Sequence, residues 1–412
     1  MRLAIIVTEY PKSTETFILR DVMQFIGAGC EVRLIHLAPS RQHEILHDFA
    51  KPTREIARYQ PFLAGGAGAA FSGALVAENR RVREIAVAMT RAFVGDPLVL
   101  AKSLALIPKS LAIAKDIRQW GACHVHAEFA GHPATAAWII GRATGIPFSV
   151  SCRAHDIFRS QRLLDVKLGE AAFVRTISGF NKNFLVAKLP RLNPDKINII
   201  HSSVDTDRIP LLQPPATDPF RILLVGAMEK KKGVDVLIKA LAGLDRRTPW
   251  RCDIIGGGNE RAALERLRDG LGLRDDVTFH GPMPYESVSA AYKDASVVVA
   301  PSIIGPGGRT EGIPNVMIEA LAHRRPVIAS RVSGVPELVA DGVTGLLVEP
   351  GSPVDLRRAI ERIRAHPDAA YRMALAGRRK VEAEFNLIAN ARAQLRLFAA
   401  HSVGGVRHEE MV

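Results

Sequence analysis

Apolar positions along this chain follow two alternating patterns. Short unbroken runs recur, among them LAIIV (3–7), RILLVG (221–226) and VVVAP (297–301), and segments with helical spacing lie between them. A short apolar run bounded by loop residues reads as a buried strand, and a 3.6-residue repeat reads as a helix. The opening reads as strand 3–7, the loop TEYPKSTETF, a helix from Phe17 to Ala28, and a strand EVRLIHLA over 31–38. Regular strand–helix alternation predicts an α/β chain with parallel sheets and ligands at the carboxyl ends of the strands. Residues 44–119 predict three or four helices. CHVHAEFAGHPATAAWIIGRATGIPFSVSC predicts a strand, a helix broken at Gly145 and Pro147, and a second strand ending near Cys152. His124 and His126 alternate on the first of these strands, where core or hydrogen-bonding roles outweigh a metal site.

The segment 210–220, PLLQPPATDPF, carries four prolines and reads as a linker between two domains, 1–209 and 221–384. A terminal helix over 385–400 and a disordered tail over 401–412 complete the division. The densest pattern lies at 299–349. It reads as strand, Gly-rich loop, helix, strand, loop, short helix, strand. Pro314 falls where a helix should begin, at a first helical position that has no use for an N–H. The amides of Gly312, Ile313, Asn315 and Val316 would then face the loop with the helix dipole behind them, a setting for anions and hydroxyls. Glu311 stands in that loop. Glu319 lies eight residues on, in the helix NVMIEALAH, which is apolar nearly all round. A buried carboxylate must be paired or hydrogen-bonded, which makes Glu319 a candidate for function.

Composition narrows the classes. The chain has 412 residues, 47% of them hydrophobic, enough for two cores. Its four cysteines (Cys30, Cys123, Cys152, Cys252) form no CxxC pair, which argues against a disulfide framework or structural zinc and fits a reducing cytoplasm. The first strand is too short for a signal-peptide core. The longest uncharged stretch, 62–77, is Gly-rich and falls short of the ~20 apolar residues of a spanning helix. The opening lacks GxGxxG, which disfavours a nicotinamide dehydrogenase. The formal charge is +13, and residues 1–205 hold 26 Lys+Arg against 17 Asp+Glu. With no nucleic-acid motif, the expected partner for this basic half is an anionic membrane surface rather than nucleic acid.

EGIPNVMIEALAHRRPVIAS, followed by VSGVPELV and GVTGLLVEPG, resembles the signature of glycosyltransferase family 4, retaining nucleotide-sugar transferases of GT-B fold. YPKSTETFILRDV resembles the first loop of its exopolysaccharide and colanic-acid branch. The resemblance implies two facing Rossmann-like domains with an interdomain cleft. The first would take the acceptor, the second the nucleotide-sugar, and the last helix would cross back onto the first. It implies metal-independent transfer of a hexose from a UDP- or GDP-sugar to a saccharide or lipid-linked acceptor, in the cytoplasm or on the inner face of the membrane, with no cofactor.

The resemblance also implies residue roles. Lys232, before Gly233, would neutralise the diphosphate, and Gly226 would also line the donor site. Glu311 would hold the donor sugar, Glu319 the ribose, and the amides at Gly312, Ile313, Asn315 and Val316 sugar and phosphate. His280, Gly281 and Met283 would lie by the base. His155 would face the sugar, with Arg153 as the alternative, and Glu15 would lie at the cleft mouth. Where the family carries an arginine after the strand's glycine, this chain has Ala227, so Lys230 or Lys231 is the candidate second cation. Two other readings remain open: an epimerase or phosphorylase on the same fold, and a nucleotide-sugar-binding protein without turnover.

Overall fold

A computed structural model of the chain describes residues 1–12, 15–40, 48–61, 79–153, 155–158, 160–305 and 310–404. The chain divides into two compact units. One comprises Met1–Ile177, Asn181–Ile200 and Ala391–Val412, the other Ser178–Phe180 and His201–Asn390. The Pro-rich segment belongs to the second unit. Its carbonyls at Leu212, Gln213 and Ala216 accept from Tyr371, Arg325 and Ser296.

Among the described residues the first unit is built on seven strands: β1 Arg2–Val7, β2 Glu31–His36, β3 Ala57–Tyr59, β4 His124–Glu128, β5 Phe148–Cys152, β6 Phe173–Thr176 and β7 Ile197–Ile199. Their order is β3-β2-β1-β4-β5-β6-β7, and every pairing is parallel. The run LAIIV is apolar without interruption because both faces of this sheet are covered. Alternate side chains point to opposite faces. Ala4 and Ile6 therefore enter one core, while Leu3, Ile5 and Val7 enter another that includes Phe398 of the last helix, Leu387–Ala400.

Two features of this unit depart from expectation. Over 44–119 the described residues hold three α-helices, Thr53–Ile56, Asn79–Phe93 and Pro97–Trp120, as expected, but also an edge strand, β3, that was not. The last of these helices is long and apolar enough by length and composition to cross a membrane, which no stretch was expected to be. It carries Lys102, Lys109 and Lys115, and it buries Leu106, Ile107, Ile113 and Ile117 in the core shared with the helix His132–Thr144. Of its most apolar stretch, 44% is buried.

The second unit has six described strands: β8 Phe220–Val225, β9 Trp250–Ile255, β10 Val277–Gly281, β11 Val297–Ala300, β12 Val327–Ser330 and β13 Leu346–Val348. Their order is β10-β9-β8-β11-β12-β13, again all parallel. From β8 the chain steps outward to β9 and β10, with the helices Val234–Leu241 and Arg261–Gly270 on one face. It then returns past β8 to β11 through the helix Tyr285–Asp294 on the other face. Connections leave β8 and β11 in opposite directions. That reversal opens a crevice at the carboxyl ends of these two strands, where ligands bind open α/β sheets.

Candidate functional site

The loop after β8 is drawn tightly onto its neighbours. Gly226 donates to Ile255 O and Met228 to Gly257 O, while Ile303, beyond β11, donates to Lys231 O at 2.8 Å. Gly233 closes the turn Lys230–Lys232 with φ +65°, and a Cβ there would lie 1.9 Å from Pro301 O. Only glycine fits so close an approach at that backbone angle. The stem of Lys232 runs past Gly226, where a Cβ would meet Lys232 Cε at 3.5 Å.

This packing aims two ammonium groups at one carboxylate. Lys232 Nζ lies 2.6 Å from Glu311 Oε2, and Lys231 Nζ lies 3.2 Å from Glu311 Oε1 and 3.4 Å from Glu229 Oε2. Of the two candidate second cations, Lys230 is exposed and Lys231 lies beside Glu311. The Glu311 side chain is 11% exposed. Burial pushes its carboxyl up, yet Lys232 and Lys231 together hold it below the usual carboxylate range. Burial pushes Lys231 down, and Glu311 and Glu229 more than reverse that.

The helix after Glu311 spans Asn315–Ala322. Pro314 stands one position earlier than expected, as N-cap, because its ψ of 124° is extended. Gly312, Asn315 and Val316 are half-buried and Ile313 is buried, at the turn that opens the helix. Lys232, Ser302, Pro314 and Val316 line one small recess at the ends of β8 and β11. The structure thus brings the predicted cation together with the predicted helix start. Glu319 is buried one turn inside the helix, with Tyr292 Oη 3.3 Å from its Oε2. Tyr292 is fully buried and stacks on His323 at 4.8 Å, which fixes the hydroxyl's position.

The predicted base-side residues gather elsewhere in this unit. His280 and Met283 line a cavity of about 410 Å³ with Arg221, Leu223, Asp253 and Ile255. His280 Nε2 lies 2.6 Å from Asp253 Oδ1. Gly281 has φ +79° and accepts from the Gly256 amide at 2.9 Å.

The first unit holds the remaining predicted residues. Arg153 is buried. It donates from Nη2 to Glu128 Oε2 at 2.9 Å, and its guanidinium lies 4.0 Å from the centre of the Phe17 ring. Burial pushes the Glu128 carboxyl up, but Arg153 and then His126 hold it well below its usual range. Asp156 accepts from the Arg153 and Ala130 amides, tying the loop after β5 to the loop after β4. His155 opens the one-turn helix His155–Phe158, but its side chain lies outside the described residues. Glu15 precedes the helix Thr16–Gly27 and pairs with Lys12 at 2.5 Å. His124 and His126 both hydrogen-bond Ser149, at 2.8 and 2.7 Å. No three His, Cys, Asp or Glu side chains among the described residues converge as a metal site.

Sequence reasoning missed Glu128, Asp156 and Tyr292. A carboxylate ending a buried strand was a usable signal for Glu128. Tyr292 carried none, since its contact with Glu319 spans 27 residues.

Comparison with known proteins bears on the family and the fold. Residues 208–380 match the family model described as glycosyl transferases group 1. The amylovoran biosynthesis glycosyltransferase AmsK of Erwinia amylovora is 27% identical over 94% of this chain and 96% of its own length. The alpha-D-kanosaminyltransferase of Streptomyces kanamyceticus is 30% identical over 61% of this chain and 70% of its own. Among solved structures, Anabaena Alr3699/HepE in complex with UDP and glucose superposes with a TM-score of 0.72 at 17% identity, covering 97% of this chain and all of that one. The chain belongs to the glycosyl transferases group 1 family and is a glycosyltransferase of GT-B fold.

Proposed function

We propose that the protein is a retaining, metal-independent hexosyltransferase of family 4, moving a sugar from a UDP- or GDP-sugar to a hydroxyl of a saccharide or lipid-linked intermediate in surface polysaccharide synthesis. One observation carries this reading: two lysines and a buried carboxylate converge beside a helix start at the carboxyl ends of β8 and β11. Charge develops on the diphosphate as the bond from the sugar to its oxygen breaks. Fixed ammonium groups and helix-start amides stabilise that charge without reorganising, usually the largest catalytic effect. Lys232 and Lys231 serve the departing diphosphate. Glu311 accepts hydrogen bonds from donor-sugar hydroxyls, and Glu319, steadied by Tyr292, accepts from the ribose. Arg153 and His155 serve sugar recognition in the first unit. The acceptor class is supported by AmsK, named for amylovoran biosynthesis and matched over nearly its whole length.

The test is transfer from UDP- and GDP-hexoses to a saccharide acceptor panel, with the product anomer read by NMR and the assay repeated in EDTA. An α-linked product from an α-linked donor, formed equally with chelator, is expected. A β-linked product overturns retention, and loss of activity in EDTA overturns metal independence.

A further inference from the structure

Glu311 is placed to do more than hold a sugar. Its two carboxylate oxygens are divided between two cations, Oε2 to Lys232 and Oε1 to Lys231. Those ammoniums are the groups a diphosphate needs. The turn carrying both lysines is itself fixed, since Ile303 beyond β11 donates to Lys231 O. A diphosphate entering here meets a carboxylate that already occupies both lysines, and the two anions repel as they share them. Sugar hydroxyls held against the carboxylate compensate Glu311 for losing its lysines better than the water that fills an empty sugar site. A donor with its sugar attached brings such hydroxyls to the carboxylate. A spent nucleoside diphosphate does not.

Resting on the donor-site reading above, we propose that Glu311 is an internal competitor for the diphosphate, and that it sets the preference of the site for loaded donor over spent nucleoside diphosphate. The same carboxylate that receives the sugar's hydroxyls reclaims Lys231 and Lys232 once the sugar has left, which weakens product binding and speeds its release. Sugar recognition and product ejection then reside in one residue.

The test is calorimetric titration of the full-length protein with UDP, GDP and ADP and with the matching nucleotide-hexoses. Glu311→Gln keeps the side chain's shape and removes its charge. It should bind the preferred nucleoside diphosphate at least about fivefold tighter than wild type, the lower end of ordinary coupling between two bound groups. It should bind the nucleotide-sugar no tighter, so the ratio of the two affinities falls. In the background of Lys231→Ala with Lys232→Ala the gain should vanish, because the competition has lost its object. Glu311→Ser provides a second charge removal if the glutamine variant folds poorly. Unchanged or weaker nucleoside diphosphate binding in folded charge-removed variants overturns the competitor role while leaving the donor site intact. If none of the three nucleoside diphosphates binds wild type, the donor-site reading itself falls, and this inference with it.

Discussion

At the scale of single residues, the proposed donor site assigns Lys232 and Glu319 to different parts of a nucleotide-sugar, and their variants should separate accordingly. In the proposed mechanism Lys232 stabilises charge that appears on the leaving diphosphate. Lys232→Ala should therefore lower kcat by about 10²–10³-fold, as loss of one fixed donor at such a site does, while circular dichroism shows the fold retained. Unaltered steady-state turnover would remove this lysine from the mechanism. Glu319 is a charged acceptor one helical turn in, held by Tyr292. Glu319→Gln should weaken nucleoside diphosphate binding by about 1.5–3 kcal/mol, the worth of a hydrogen bond to a charged group; calorimetry showing no loss would free Glu319 from ribose binding. The pair Glu311 and Glu319 was legible because their spacing and the apolar helix between them lie in one contiguous stretch. Lys231 was legible only as one of two candidates, since the geometry of the turn chooses between adjacent lysines. The Arg153–Glu128 pair was not legible, because its members lie 25 residues apart, Glu128 ending β4 and Arg153 just past the end of β5.

Elements are positioned by a few backbone approaches and buried polar contacts. Gly233 and Gly342 both have positive φ, but a Cβ would strike Pro301 O only at Gly233 and would meet open space at Gly342. Gly342→Ala should cost about 1–2 kcal/mol, the price of a left-handed alanine. Gly233→Ala should cost clearly more and should also disturb Lys231 and Lys232, so urea midpoints and donor affinity should both drop. Equal midpoints for the two variants would contradict this reading of the turn. In the first unit, His124 is buried between Phe173 and Phe398, and burial, with His126 next, holds its imidazole down to about 3 from 6.5. The folded state keeps this ring neutral, whereas the unfolded chain protonates it near 6.5. Its contribution is thus complete above pH 6.5 and is lost progressively as pH falls toward 3. The melting temperature should decline below pH 6.5, and His124→Phe should make that decline shallower; an identical slope would place the acid sensitivity elsewhere. The strands and the helix after Glu311 were legible from unbroken apolar runs. The long helix Pro97–Trp120 was less so, because Pro108 lies inside it and packing on the helix His132–Thr144 overrides the local break.

For the whole molecule, strand–helix alternation and the Pro-rich segment predicted two parallel-sheet units, and both are present. The order of strands within each sheet was not readable, because the return past β8 to β11 leaves no local mark. Charge is also a property at this scale. The first 205 residues carry the larger basic excess, and the hairpin between Asn79–Phe93 and Pro97–Trp120 exposes Val94 and Leu98 beside Arg91 and Lys102. We expect the protein to co-sediment with vesicles containing phosphatidylglycerol, less so as salt rises, and less so in Val94→Ser with Leu98→Ser. Equal sedimentation with neutral vesicles would contradict an electrostatic association. The central claim, that a nucleotide-sugar binds through Lys232 at the carboxyl ends of β8 and β11, is tested most directly by thermal shift against UDP-, GDP- and ADP-sugars. A ligand at a hundred times its dissociation constant stabilises the folded state by about 2.7 kcal/mol. One base family should therefore raise the melting temperature of the wild type by several degrees and that of Lys232→Ala far less. No shift with any donor, or the same shift in both proteins, would contradict the claim.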